Sequence, residues 1–94
     1  MQVKWLKRSL DNLNEEAEYL AQDNPPAAQA IVTHVIKSVN QLANLPNLGR
    51  AGRVFGTREL IITDFSYIIP YRVKSEVVDI LRVFHTSRKW PRNL

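Results

Sequence analysis

Residues 57–84 read TRELIITDFSYIIPYRVKSEVVDILRVF. Three runs, TRELIIT, YIIPYRV and EVVDILRVF, are rich in β-branched and aromatic residues, and the short polar linkers DFS and KSE separate them. Such runs suit the pleated surface of a sheet, and linkers of that length read as hairpin turns. The stretch therefore predicts three consecutive antiparallel strands. Pro70 lies inside the second run and has no N–H to give a ladder, which predicts an edge position or a bulge at that point.

Upstream of the strands, residues 47–60, NLGRAGRVFGTREL, hold all three glycines of the chain, three arginines (Arg50, Arg53, Arg58) and one acid, Glu59. Pro46 and the glycines mark a loop. Before it, Leu10, Leu13, Ala17, Leu20 and Ala21 recur at helical spacing, with Ser9 as the expected N-cap. The segment QDNPP ends that helix. A residue before proline is pushed out of the helical region, whereas proline suits a helix start, so a second helix is expected from about Pro26 to Ala43. Its apolar stripe is Ala27, Ile31, Val35, Val39 and Leu42. The connection is so short that the helices must run antiparallel. An opening strand, VKW, completes the order β-α-α-β-β-β. The expected fold class is α+β, with a helical hairpin packed on one face of a small antiparallel sheet. The other face is expected to be open and basic.

The chain has 94 residues, 45% hydrophobic and 23% charged, without cysteine. This length makes residues 1–94 one expected domain, and the composition is that of a globular fold. Without cysteine there is neither a disulfide scaffold nor a thiolate metal site. No apolar run approaches the roughly 18 residues of a membrane span, and the N-terminus turns acidic where a signal peptide would turn apolar. The expectation is a cytoplasmic, bacterial protein with no membrane partner. The net charge of +4 is unevenly placed: residues 1–47 sum to −1 and residues 48–94 to +5. That asymmetry points to an anionic partner for the second half, nucleic acid or an acidic protein segment.

Most catalytic signatures are missing. His34 and His85 are far apart with no carboxylate cluster, so no metal is expected. The glycines form neither a P-loop nor a dinucleotide fingerprint, there is no G-x-S-x-G elbow, and Asp64 and Asp79 are isolated acids. No cofactor is expected. What remains is a set of arginines, Arg50, Arg53, Arg58, Arg72, Arg82, Arg88 and Arg92, interleaved with Tyr67, Tyr71, Trp90 and His85. Guanidinium groups grip phosphate and aromatic rings stack on bases. Such a site can cleave RNA without metal by aligning a 2′-hydroxyl and stabilising the charged phosphorane, with His85 moving a proton. Blander roles fit the same residues. Arg82 amid Val78, Ile80 and Phe84 can pair with a carboxylate, Tyr71 and Trp5 suit a core, and His34 suits a helix surface.

The stretches DNPPAAQAIV, NLGRAGRVFGTREL, YIIPYRV and VDILRVFHTSRKWP resemble the RelE/ParE superfamily of type II toxin–antitoxin toxins. The resemblance covers nearly the whole chain and implies the β-α-α-β-β-β fold, growth inhibition, and a cognate antitoxin that wraps the toxin in a hetero-oligomer. The superfamily has two mechanisms: RelE-like members cut mRNA in the ribosomal A site, and ParE-like members poison DNA gyrase. Nuclease members carry an arginine after the first tyrosine of the third strand. Here Ile68 follows Tyr67, which tilts the reading toward gyrase. For the nuclease alternative, the catalytic residues implied are Arg58, Arg82, His85 and Arg88, expected on one open surface. For target or antitoxin binding, the candidates are Arg50, Arg53, Tyr71, Arg72 and Trp90. Strict alternation in EVVDILRVF would put Arg82 and His85 on opposite faces unless the strand bulges near Phe84.

Overall fold

The computed structural model describes residues 1–87. The chain runs β1 (Gln2–Trp5), α1 (Lys7–Ala21), α2 (Pro25–Asn40) with a 3-10 turn at Gln41–Ala43, β2 (Arg50–Ala51), β3 (Arg58–Ile62), β4 (Tyr67–Lys74), β5 (Val77–Ile80) and β6 (Phe84–His85). The strands form one sheet in the order β1-β5-β4-β3-β2, with β6 also on β4. The fold class is the α+β arrangement expected, with one correction. The sheet is mixed, because β1 runs parallel to β5, Gln2 opposite Val77 through Trp5 opposite Ile80. The helical hairpin between them carries the chain back across the sheet, so β1 and β5 point the same way.

α2 starts where the proline pair places it. Pro25 and Pro26 occupy the first helical positions, and the Asn24 side chain accepts a hydrogen bond from the Ala27 N–H at 3.1 Å. This satisfies one of the orphan donors of the first turn. α1 starts earlier than its serine suggests. Leu6 is the N-cap, and Ser9 lies inside the first turn, fully buried, with its hydroxyl donating to the Leu6 carbonyl at 2.6 Å. The hydroxyl is satisfied by a carbonyl one turn back in place of a capping N–H.

The core lies between the helices and one sheet face. Leu13, Ile31, Val35, Val39 and Leu42 meet Leu60, Ile62, Tyr67, Ile69, Tyr71, Val78, Ile80 and Val83, with Val3 and Trp5 packed at its margin. In β4, Tyr67, Ile69 and Tyr71 face this core, so Ile68 and Pro70 face the other side. That side is not open as expected: Ile68, Pro70 and Phe84 are buried there. The Arg82 guanidinium lies over the Phe84 ring at 4.8 Å, which covers part of the surface.

EVVDILRVF is one strand broken by a bulge. Tyr71 pairs with Ile80 and Ile68 pairs with Phe84, so two residues of β4 oppose three residues, Leu81 to Val83. Pro70 sits opposite the break. Its carbonyl accepts from the Leu81 N–H at 3.0 Å, and its missing N–H falls where the ladder is interrupted. The proline and the bulge therefore explain each other.

Candidate functional site

The arginine-rich loop is a braced hairpin. β2 pairs with β3, Arg50 opposite Glu59 and Ala51 opposite Arg58. The Glu59 carboxylate is 1% exposed and gathers the loop around itself. Nε and Nη2 of Arg50 donate to its Oε1 at 3.1 and 2.9 Å. The Arg53 backbone N–H donates to Oε2 at 2.9 Å, and the Arg53 Nε lies 3.8 Å from the same oxygen. A buried carboxylate is tolerated only when charges and donors compensate it. Here the loop supplies both. The tip is closed by Gly52 N–H to the Thr57 carbonyl at 2.8 Å and by the Thr57 hydroxyl to the Val54 carbonyl at 2.6 Å. Gly56, at φ +82°, makes the turn a side chain would strain.

Tyr71 anchors the base of the loop from below. It is completely buried; its hydroxyl accepts from the Gly49 N–H at 2.8 Å and donates to the Pro46 carbonyl at 2.7 Å. A side chain at position 49 would collide with the Tyr71 ring at 2.7 Å, so glycine is required for this approach. Burial raises the Tyr71 pKa above its ordinary value, and the Gly49 hydrogen bond and the nearby Arg58 charge oppose this only in part. Without exposed surface, Tyr71 is a structural post and offers nothing for a partner to touch. Arg58 supports the same place, donating from Nη1 to the Gly49 carbonyl at 2.8 Å. Arg72 is exposed and pairs across strands with Asp79, Nε to Oδ2 at 3.1 Å.

The bulge decides where the remaining candidates go. It shifts the alternation, so His85 stands opposite Tyr67, with the rings edge to face at 5.3 Å between centroids. His85 Nδ1 is 2.7 Å from the Ser87 hydroxyl. The Tyr67 hydroxyl donates to the buried Glu16 carboxylate of α1 at 3.1 Å. Together these residues line a cleft of about 490 Å³ with Tyr19 and Phe65. Arg82 sits within the bulge. Its Nε donates to the Asn12 side-chain oxygen at 2.9 Å, an amide partner in place of a carboxylate. Arg58 stands opposite Tyr71 and His85 opposite Tyr67. Four residues of β4, roughly 13 Å, therefore separate them. The structure brings Arg50, Arg53, Arg58 and Tyr71 together; it does not bring Arg58 to His85. Arg88 and Trp90 lie outside the described residues.

Glu59 and Glu16 are the buried acids of these clusters that sequence reasoning missed. One signal was available for Glu59: it is the single acid in a run of three arginines, and such an acid is placed to pair with them. Among the described residues there is no group of three or more histidines or acids fit to hold a metal, and no helix long and apolar enough to cross a membrane.

The helical hairpin on a mixed sheet is a fold shared with solved structures from type II toxin–antitoxin systems. The solved structure of the chromosomal ParDE system from P. aeruginosa superposes at a TM-score of 0.86 with 26% identity, covering 93% of this chain and 97% of that one. The RelBE2 complex of Mycobacterium tuberculosis shares the fold at 0.59 and 24% identity, over 89% and 95% of the two chains. The family described as the ParE toxin of type II toxin–antitoxin system, parDE, matches residues 3–90, and the chain belongs to it. Among sequence relatives, Y4kP of Sinorhizobium fredii is 41% identical over 92 residues, covering 98% of this chain and 95% of that protein. Toxin RelE2 of Caulobacter vibrioides is 33% identical over 93% of this chain and 97% of its own length. The protein is the toxin component of a type II toxin–antitoxin system.

Proposed function

We propose that this toxin arrests growth by ParE-like inhibition of DNA gyrase, and that a cognate antitoxin encoded beside it holds it in check as a hetero-oligomer in the bacterial cytoplasm. The observation that carries the reading is the likeness to the ParDE toxin chain, at a TM-score of 0.86 against 0.58 for the isolated E. coli RelE toxin. The residues support it. Ile68 occupies the arginine position of nuclease members and is buried. Arg58 and His85 lie four residues apart along β4, and the Arg58 guanidinium is turned to the Gly49 carbonyl, which does not favour a shared site.

The alternative is a RelE-like, ribosome-dependent and metal-free mRNA endonuclease. The name of the Caulobacter relative, toxin RelE2, favours it. Arg58, Arg82, His85 and Arg88 would then carry the chemistry. Induction of the toxin in a bacterial host separates the two. Gyrase inhibition is expected to switch on the DNA-damage response and leave transcripts intact, and co-expression of the neighbouring small reading frame is expected to restore growth. Codon-phased cuts in ribosome-bound mRNA, with no damage response, would refute the gyrase reading.

A further inference from the structure

The hairpin that Glu59 braces ends in Phe55, whose side chain is wholly exposed, between the Val54 carbonyl-bonded turn and Gly56. A phenyl ring so exposed contributes nothing to the fold, yet the backbone beneath it is held by the bonds at Gly52, Arg53 and Thr57. A rigid element presenting one large aromatic group loses little freedom on binding, and aromatic residues beside arginines dominate binding hot spots. We propose that Phe55 is the anchor through which this toxin docks on a protein target, inserting into an apolar pocket with an acidic rim. The proposal rests on the toxin reading above and adds the contact residue and the chemistry of the surface it meets.

Nucleic acid is the weaker fit to the same knob. Arg50 directs Nε and Nη2 to Glu59 and Arg58 directs Nη1 to the Gly49 carbonyl, so part of each guanidinium braces the tip. The group the hairpin presents foremost is an uncharged phenyl ring, which suits an apolar pocket better than a phosphate. The charge of the arginines still exceeds that of Glu59, and the Arg50 and Arg53 side chains remain about half exposed, at 55% and 53%. That residual positive potential around an apolar point complements a pocket ringed by carboxylates.

The test uses the full chain with Phe55→Ala, Phe55→Glu and Phe55→Trp. Because the side chain is exposed, all three are expected to unfold at the wild-type temperature and to co-purify with the small protein encoded beside the toxin. Phe55→Ala and Phe55→Glu are expected to weaken growth arrest by about tenfold or more, as loss of a hot-spot residue does, whereas Phe55→Trp retains it. Binding to a short duplex DNA, used as the nucleic-acid probe, is expected to be equal for wild type, Phe55→Ala and Phe55→Trp, the variants that keep the charge of the hairpin. Full toxicity of Phe55→Ala would overturn the anchor. So would a loss of duplex binding that tracks the loss of toxicity, which would make the contact one with nucleic acid. Loss of antitoxin co-purification with toxicity intact would overturn it too, assigning Phe55 to the antitoxin. A wild-type chain that leaves growth unaffected would sink the toxin reading and the anchor with it; arrest by wild type and Phe55→Ala alike sinks the anchor alone.

Discussion

At the scale of single residues, the Tyr71 hydroxyl holds the base of the loop, because it bonds two of its backbone groups from a wholly buried position. Tyr71→Phe removes the oxygen and leaves the Gly49 N–H without its acceptor. The expected cost is about 1–3 kcal/mol, the penalty for an unsatisfied buried group, measured by urea denaturation at neutral pH. The variant also gives the pH dependence. Folding raises the Tyr71 pKa above 10.0, so the folded state holds the phenolic proton more tightly than the unfolded chain. Its contribution is fully present below the unfolded value and is lost as pH rises through the folded one. The gap between wild type and Tyr71→Phe is therefore expected to be constant up to about pH 9 and to shrink above about pH 10. A gap that stays constant to about pH 11 would show that the hydroxyl does not titrate with folding. Much of this was hidden in the sequence. YIIPYRV is legible as a strand, but nothing in it says that both tyrosines are buried or that Tyr71 is the one that holds the loop. Phe55 was equally silent, since an exposed aromatic and a core aromatic are written with the same letter.

At the scale of elements, the hairpin between β4 and β5 carries strain that the residues around it do not require. Ser75 and Glu76 both adopt positive φ, 52° and 62°, the pattern of a type I′ turn that favours Asn-Gly. Placing two ordinary residues in that region costs roughly 1–2 kcal/mol each by side-chain crowding against the backbone. Replacing them with asparagine and glycine relieves much of this, while the glycine gives back about 0.4–1 kcal/mol through the freedom of the unfolded chain. Relief of the crowding outweighs that loss. The double variant Ser75→Asn/Glu76→Gly is expected to gain about 1 kcal/mol, which in a chain of this size raises the melting temperature by roughly 4–8 °C. Scanning calorimetry checks it, and a lower melting temperature would show that the turn carries no strain. The three strands were legible because β-branched runs and two short linkers leave few alternatives, and Pro70 pointed to an edge position or a bulge, of which the structure has the bulge. The parallel pairing of β1 was not legible: a strand of four residues records no direction. The start of α1 was hidden for a related reason, because a serine can cap a helix or bond back to a carbonyl from within the first turn, as Ser9 does, and the sequence does not say which.

At the scale of the whole molecule, the closing contact is between β1 and β5, which joins residues 2–5 to residues 77–80. Pairing across that separation must overcome loop-closure entropy before any contact rewards it, so it depends on the core already assembled by the helices and β3–β4. In return β1 covers the edge of β5 and brings Val3 and Trp5 against the core. An uncovered edge next to buried Val78 and Ile80 would be a template for pairing with other chains. Trp5→Ala alone is expected to cost about 2–4 kcal/mol, toward the lower part of the range for a large aromatic because the side chain is only partly buried. Deleting residues 2–5 removes the apolar contacts and the edge cover together. The truncated chain is expected to lose its cooperative thermal transition and to sediment as aggregate, while Trp5→Ala stays monomeric with a sharp, lowered transition. Circular dichroism on heating, paired with sedimentation, distinguishes the outcomes. A truncated chain that melts cooperatively as a monomer would mean that the helical hairpin and the β3–β4–β5 meander suffice, and that β1 is an ornament on a fold already closed.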